Sequence, residues 1–400
     1  MKVLHVVPWL ALRAGGTSVV VVGMAKALQR LGANVTIYTT DMAVPAQSHR
    51  LTRGVTVSDM PLGAQELDIE VFPVNHPYRF VFSPKLQQAM YCHAAEYDVV
   101  HIHSLFLHPQ YAAWRSVSRS STPYVVSPHG ALDPYLRTKS RIKKKVVDVL
   151  WQRKMLDEAS ALHLTTEDER TLVSDLRIAA PHEVIPIGID TNAFSNPSPD
   201  PAVRHRFLTE SQGPVILNHG RITAKKGLDI LIAAFARIKR VHPYASLVLV
   251  GPDDEGLAAQ LNIQARNLGV EDAVRFTGPL AGKELQATLS TADIWALPSH
   301  TENFGLAMVE AMAARCPVVT SPHVNIAVAA ERDEAAVVAN NTADEFAHAI
   351  LQLIDAPSRR RRLGENAHCF ALKYDWLAVG SQFIDLYDTI SRGGGVSEQK

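Results

Sequence analysis

The chain has 400 residues, enough for two or three domains, and its 47% hydrophobic and 20% charged content is that of an ordinary globular protein. Its 40 Lys plus Arg balance 40 Asp plus Glu, which excludes a global field recruiting nucleic acid or membrane. Cys92, Cys316 and Cys369 are odd in number and lack metal-ligand spacing, so they read as reduced thiols of a cytoplasmic protein.

Short Val- and Ile-rich runs alternate with longer helical patterns, the signature of parallel sheets with crossover helices. The opening Met1–Pro8 is short for a signal-peptide core and reads as a first strand, Lys2–Val7. No stretch approaches the roughly 18 uninterrupted apolar residues of a membrane span. Further strands are predicted at 34–39, 55–59, 70–74, 99–103, 124–127, 161–164 and 183–185. A second set follows at 215–219, 246–250, 274–277, 294–297, 317–320 and 335–338. Helices include 19–31, 143–159, 228–239, 285–291 and 377–391, with a frayed tail from 393 to 400. Each half thus reads as a doubly wound α/β domain, one over 1–190 and the other over 191–376, with the turn-rich Gly188–Pro201 joining them. In such a pair the ligand is expected in a cleft facing both sets of strand C-termini.

Several loops after strands carry chemistry. Gly15-Gly16 follows the first strand; alone it is weak evidence, since a tight βα connection often uses glycine. His101 and His103 alternate along a strand and so share one face. They lack a convincing third metal ligand and read as cleft-lining or structural, so no metal is expected. His129-Gly130 follows another strand, which puts an imidazole at the strand's C-terminal end. The run Arg137–Lys145 has six basic residues of nine; it reads either as a solvated helix start or as a patch docking on anionic lipid or a polyprenyl-diphosphate acceptor.

In the second half, Gly220-Arg221 turns out of a strand, and Lys226-Gly227 then opens a helix. Arg221 can grip phosphate oxygens through two nitrogens, while Lys226 acts as a point charge. The stretch Leu297–Val319 is the most informative. It leaves a strand at Pro298-Ser299 and enters an apolar helix near Phe304-Gly305, with Glu302 on the loop lip and Glu310 rising from the helix. The amides of Phe304, Gly305 and Leu306 favour an anion there, and Gly305 permits close approach. Glu310 lies among Leu306, Met308, Val309 and Met312, where an unpaired carboxylate would be costly. An anion cradle with two hydroxyl-binding carboxylates describes a nucleotide-sugar site.

This constellation resembles the Glu-x7-Glu signature of the retaining family 4 glycosyltransferases, with its flanking Pro-Ser, Phe-Gly-Leu, Glu-Ala-Met-Ala and Pro-Val-Val. The Gly-Arg-Ile-x-x-x-Lys-Gly pattern is similar too, with Ile222 for the usual Leu. The resemblance implies two Rossmann-like doubly wound domains in the GT-B arrangement. It implies Arg221 and Lys226 on the donor diphosphate, Glu302 and His129 on the transferred sugar, and Glu310 on the ribose. It places Gly16 in a glycine loop near donor and acceptor, and Asn303, Phe304, Gly305 and Leu306 in the donor-binding set. No cofactor is implied beyond the nucleoside diphosphate sugar as donor substrate. The terminal helix is expected to cross back to the first domain, as in relatives.

Departures from the family pattern are Asn303 and Arg315 where Gly is common, and Ala329 where a Glu is expected. The stretch Pro128–Glu167 also resembles exopolysaccharide and O-antigen transferases with lipid-linked acceptors. The sequence thus predicts a metal-independent, retaining hexosyltransferase-type enzyme of cell-surface polysaccharide synthesis, cytoplasmic or at the inner face of the membrane, with a glycan or polyprenyl-diphosphate-linked acceptor. Two alternatives remain: a catalytically silent nucleotide-sugar-binding subunit, and a non-hydrolysing nucleotide-sugar epimerase.

Overall fold

The alternation of apolar runs is realised as thirteen strands among the described residues. The computed structural model describes residues 1–11, 16–42, 59–61, 63–132, 147–195, 213–253, 255–302 and 304–393. The strands are β1 (Lys2–Val6), β2 (Asn34–Thr40), β3 (Asp68–Phe72), β4 (Val99–His103), β5 (Tyr124–Ser127), β6 (Ala161–Leu164), β7 (His182–Val184), β8 (Val215–His219), β9 (Ser246–Val250), β10 (Val274–Gly278), β11 (Ile294–Leu297), β12 (Val318–Thr320) and β13 (Val337–Val338). The expected strand at 55–59 lies largely outside the described residues, and β3 sits two residues earlier than its pattern suggested.

The chain divides into two compact units. Unit 1 comprises Met1–Gly188 and the segment from Trp376 onward; unit 2 is Ile189–Asp375. In unit 1 the strand order is β3-β2-β1-β4-β5-β6-β7, and in unit 2 it is β10-β9-β8-β11-β12-β13, with every pairing parallel. Each order reverses direction once, between β1 and β4 and between β8 and β11. Such a switch point leaves a crevice at the strand C-termini, where ligands of open α/β sheets bind.

Both faces of the unit 1 sheet are covered, as strands buried on two sides require. Val3 joins one apolar cluster and Leu4 the other, because successive strand residues point to opposite faces. The terminal helix Trp376–Ser391 closes one of these faces, packing on the helix Gly16–Arg30. Gly380 lies where a Cβ would come within 3.0 Å of Ala27 and Leu31. The indole of Trp376 fits against Gly23 and Gly188, where added Cβ atoms would meet it at 2.3 Å. Those contacts need glycine for space rather than for backbone freedom.

The helix expected over 143–159 is different in its described part. A π-helical turn, Asp148–Gln152, precedes a short α-helix, Arg153–Asp157. The extra residue per turn changes which side chains face inward. Trp151 and Gln152 are buried, and the Gln152 Oε1 accepts from the Phe106 amide at 2.8 Å. Val149 and Leu150, in the same turn, are 77% and 72% exposed. Among the described residues no helix is long and apolar enough to cross a membrane.

Candidate active site

Unit 2 gathers charged side chains at the C-terminal ends of β8 and β11. After β8 the chain passes Gly220 with φ +131°, and the carbonyl of Gly220 packs so closely on Gly251 that a Cβ there would lie 1.9 Å from it. Arg221 is exposed and has no ion-pair partner among the described residues. A 3-10 turn, Ala224–Lys226, then buries Lys226 and ends at Gly227, whose left-handed conformation starts the helix Leu228–Val241. The Lys225 carbonyl is held by the His300 amide at 2.7 Å and the Ser299 hydroxyl at 2.9 Å. The loops after β8 and β11 are therefore tied together through their backbones.

That tie brings Lys226 onto Glu302, with Nζ 2.8 Å from Oε2, while Lys225 lies 3.6 Å from the same oxygen. Burial acts to raise the Glu302 pKa, but Lys226 and then Lys225 outweigh it and hold the carboxyl below its ordinary value. The Glu302 backbone is fixed by a parallel bridge to Val324: its amide donates to the His323 carbonyl at 3.0 Å, and its carbonyl accepts from the Asn325 amide at 3.3 Å. The loop His323–Asn325 thus positions the first signature carboxylate. Ala329 lies on the following helix, Ala327–Arg332.

Gly305, at φ +85°, caps the helix Leu306–Ala313, and a Cβ there would meet Val324 Cγ1 at 2.7 Å. Phe304 is buried and meets the Tyr374 ring edge-on at 5.3 Å. The helix carries Glu310, whose Oε2 accepts from His219 Nε2 at 2.8 Å. The Trp295 indole N–H in turn donates to His219 Nδ1 at 2.9 Å. Met308, Val309 and Met312 of this helix are buried, Glu310 itself is half-buried, and His219 is the partner that offsets its partial desolvation. Sequence reading missed His219 and Trp295. The signal was the parallel register, in which Trp295 pairs with Leu217, so that His219, two residues on, shares its face.

Unit 1 holds a row of imidazoles. His5 pairs in register with His101 on β4, and Val125 of β5 pairs with Ala161 of β6. The face so defined carries His5, His101, His103, Ser127 and His163. His101 Nδ1 lies 2.5 Å from the Tyr387 hydroxyl of the terminal helix, and its Nε2 lies 2.6 Å from Ser127 Oγ. His163 Nδ1 approaches Ser127 Oγ at 2.6 Å and its Nε2 donates to the Ile185 carbonyl at 2.8 Å.

His129, with Gly130, adopts the left-handed conformation after β5, and its Nε2 lies 2.9 Å from His103 Nδ1. His103 Nε2 continues to His5 Nδ1 at 2.8 Å. Burial lowers the pKa of His129 and His5 to about 3 and that of His163 to about 4, and pushes His101 and His103 well below the usual range. His5, His101 and His103 bring ring nitrogens within 4.8 Å of one another. Their rings stack, however, and His101 and His103 spend both nitrogens on hydrogen bonds, so a cation there would have to displace those bonds. Gly16 opens its helix in an exposed position where a Cβ would meet nothing within 4 Å. Asn303 and the basic run Arg137–Lys145 lie outside the described residues.

The comparisons with known proteins agree with this architecture. Residues 201–369 match the family model for glycosyl transferases group 1, and residues 15–188 match the glycosyl transferase 4-like domain. A D-inositol 3-phosphate glycosyltransferase 2 of Catenulispora acidiphila is 30% identical over 389 residues, covering 94% of this chain and 90% of that protein. A D-inositol 3-phosphate glycosyltransferase of Streptosporangium roseum is also 30% identical, over 94% of this chain and 88% of its own. Among solved structures, a sucrose-phosphate synthase from Thermosynechococcus elongatus has a TM-score of 0.76 at 20% identity, over 98% of this chain and 100% of that one. Anabaena HepE in complex with UDP has a TM-score of 0.76 at 20% identity, over 97% and 100%. These likenesses show the fold, two Rossmann-like parallel α/β units of the GT-B type. The chain belongs to family 4 of the GT-B glycosyltransferases.

Proposed function

We propose that this glycosyltransferase is a retaining, metal-independent enzyme that takes its sugar from a nucleoside diphosphate sugar. One observation carries the reading: Lys226 and Glu302 face one another at 2.8 Å, at the same strand ends as the His219–Glu310 pair and the Gly305 helix start. A nucleotide sugar presents ribose, diphosphate and sugar in that order, and needs carboxylate, cation and carboxylate in sequence. Glu310 suits the ribose, Lys226 with Arg221 and the Phe304–Leu306 amides suits the diphosphate, and Glu302 suits the sugar hydroxyls. His129, in unit 1, keeps the sugar-orienting role that the family resemblance gives it.

The chemistry follows from the charges. As the bond from the anomeric carbon to the diphosphate oxygen breaks, negative charge grows on the leaving phosphate, and Lys226 and Arg221 stabilise it where it forms. The acceptor hydroxyl attacks from the face the phosphate leaves and gives that phosphate its proton, so the configuration is retained. Two cations, the buried Lys226 and the exposed Arg221, supply the stabilisation that a metal would otherwise provide. The UDP bound to the HepE structure supports a nucleotide donor.

For the acceptor we propose a glycan or lipid-linked saccharide of cell-surface polysaccharide assembly, used at the inner face of the cytoplasmic membrane. The exposed Val149 and Leu150, close in sequence to the basic run Arg137–Lys145, support it. A second acceptor, an inositol phosphate, is favoured by the names of the 30% identical relatives.

The test is a thermal-shift and sugar-release screen with UDP-, GDP- and ADP-sugars, with and without EDTA, followed by both acceptor classes. The expected result is stabilisation by one base class and slow, EDTA-resistant release that Arg221→Ala and Glu302→Ala abolish. If nucleotide binds but sugar is never released or transferred, the chain is a silent binding subunit.

A further inference from the structure

A carboxylate reads a diol more selectively when its orientation is fixed and an oxygen is left to accept, and the three residues Trp295, His219 and Glu310 achieve this with no ambiguity of protons. An indole N–H can only donate. Trp295 is wholly buried, and its donation to His219 Nδ1 at 2.9 Å requires a lone pair on that nitrogen. The proton of the ring is then on Nε2, which donates to Glu310 Oε2 at 2.8 Å. Oε1 of Glu310 has no partner among the described residues. The Trp295 and His219 rings meet at 67° and 5.8 Å, so the indole fixes the plane of the imidazole as well as its tautomer.

We propose that His219, locked by Trp295, is a positioning residue that holds Glu310 so that Oε1 accepts from the vicinal hydroxyls of a ribose. This rests on the donor-site reading above. The charge-assisted bond to Oε2 restrains the carboxylate in one orientation, so discrimination against a donor lacking a ribose hydroxyl depends on His219. The network also gives the half-buried Glu310 a partner where no Lys or Arg pairs with it among the described residues.

The experiment measures Kd for UDP and 2′-deoxy-UDP on the full-length protein, with the GDP and ADP pairs run in parallel, for wild type, Glu310→Gln, His219→Phe and His219→Gln. Wild type should favour the ribonucleotide by about 10- to 100-fold, the worth of one hydrogen bond to a charged group. His219→Phe should bring that ratio towards parity. His219→Gln can still donate from its amide, and should retain most of it, which a general loss of folding could not mimic. Nitrogen-15 spectra of the wild-type imidazole should show Nε2 protonated and Nδ1 bare.

The inference is overturned if Glu310→Gln collapses the ratio while His219→Phe preserves it, or if Nδ1 carries the proton. If Glu310→Gln itself leaves the ratio intact, or if no nucleotide binds, the ribose assignment fails and the inference falls with it.

Discussion

Lys226→Met should lower sugar transfer by about 10²- to 10³-fold, on the order of 3–4 kcal/mol of transition-state stabilisation, because it removes a preorganised cation from the leaving diphosphate. The same substitution should cost stability at neutral pH. In the wild type, burial pushes the Glu302 pKa up, and Lys226 with Lys225 pulls it below its ordinary value. A depressed carboxyl contributes stability that is present above the unfolded pKa and lost as pH falls through the folded value. Without Lys226 the burial contribution dominates, the folded pKa rises, and the ionised carboxylate becomes a liability. Breaking a buried pair costs up to about 3–5 kcal/mol, and Lys225, at 3.6 Å, should reduce that cost. The double variant Lys226→Met/Glu302→Gln should recover stability in urea titrations without recovering transfer. If transfer survives in the single variant, the diphosphate assignment is wrong.

Acid should unfold unit 1 well before it protonates most carboxylates. His5 and His163 are buried imidazoles held down to about 3 and about 4 by desolvation, and His101 and His103 are shifted in the same direction. Above the unfolded pKa, about 6.5, folded and unfolded chains both carry neutral rings and nothing is lost. Below it the unfolded chain takes up protons that the folded chain refuses, so stability drains away from about pH 6.5 towards the folded values. At pH 5 that is roughly 2 kcal/mol for each of His5 and His163 by linkage, with His101 and His103 adding in the same sense. Domains are stable by only about 5–15 kcal/mol, so the effect is large. Four of the five tryptophans, Trp9, Trp114, Trp151 and Trp376, belong to unit 1. Urea titrations followed by fluorescence at pH 7, 6 and 5 should therefore show a steadily falling midpoint. A midpoint unchanged between pH 7 and 5 would contradict the buried histidine row.

The parts of this molecule that were legible in the sequence are those encoded locally. Val-, Leu- and Ile-rich runs mark β1, β4, β8 and β9 because a strand buried on both faces is mostly apolar, with the buried histidines of β1, β4 and β8 as exceptions. Glu302 and Glu310 separate into loop and helix because Pro298 ends β11 before Glu302 and Gly305 starts the helix between the two carboxylates. What stayed hidden depends on register between distant strands. Nothing local ties His5 to His103, 98 positions away, until β1 and β4 lie side by side. The same holds for Trp295 with His219 and for Lys226 with Glu302. The π-helical turn at Asp148–Gln152 was missed for another reason. Its apolar residues suit an ordinary helix equally well, and only the buried Gln152 bonded to Phe106 shows which way the turn faces.

The two points where the chain passes between units lie together. Ile189 and Asp375 form a parallel bridge, the Ile189 amide donates to the Tyr374 carbonyl at 2.8 Å, and the Thr191 hydroxyl donates to Asp375 at 2.6 Å. On the other side of the crossing, Trp376 packs against Gly188. Unit 2 is thus an insert whose two ends are already knotted to each other, and unit 1 is a host whose cut ends remain neighbours. Removing residues 189–375 and rejoining Gly188 to Trp376 through a short Gly/Ser linker should leave a host that folds cooperatively, with Tyr387 still seated on His101. A molten or insoluble product would show instead that the host depends on its guest.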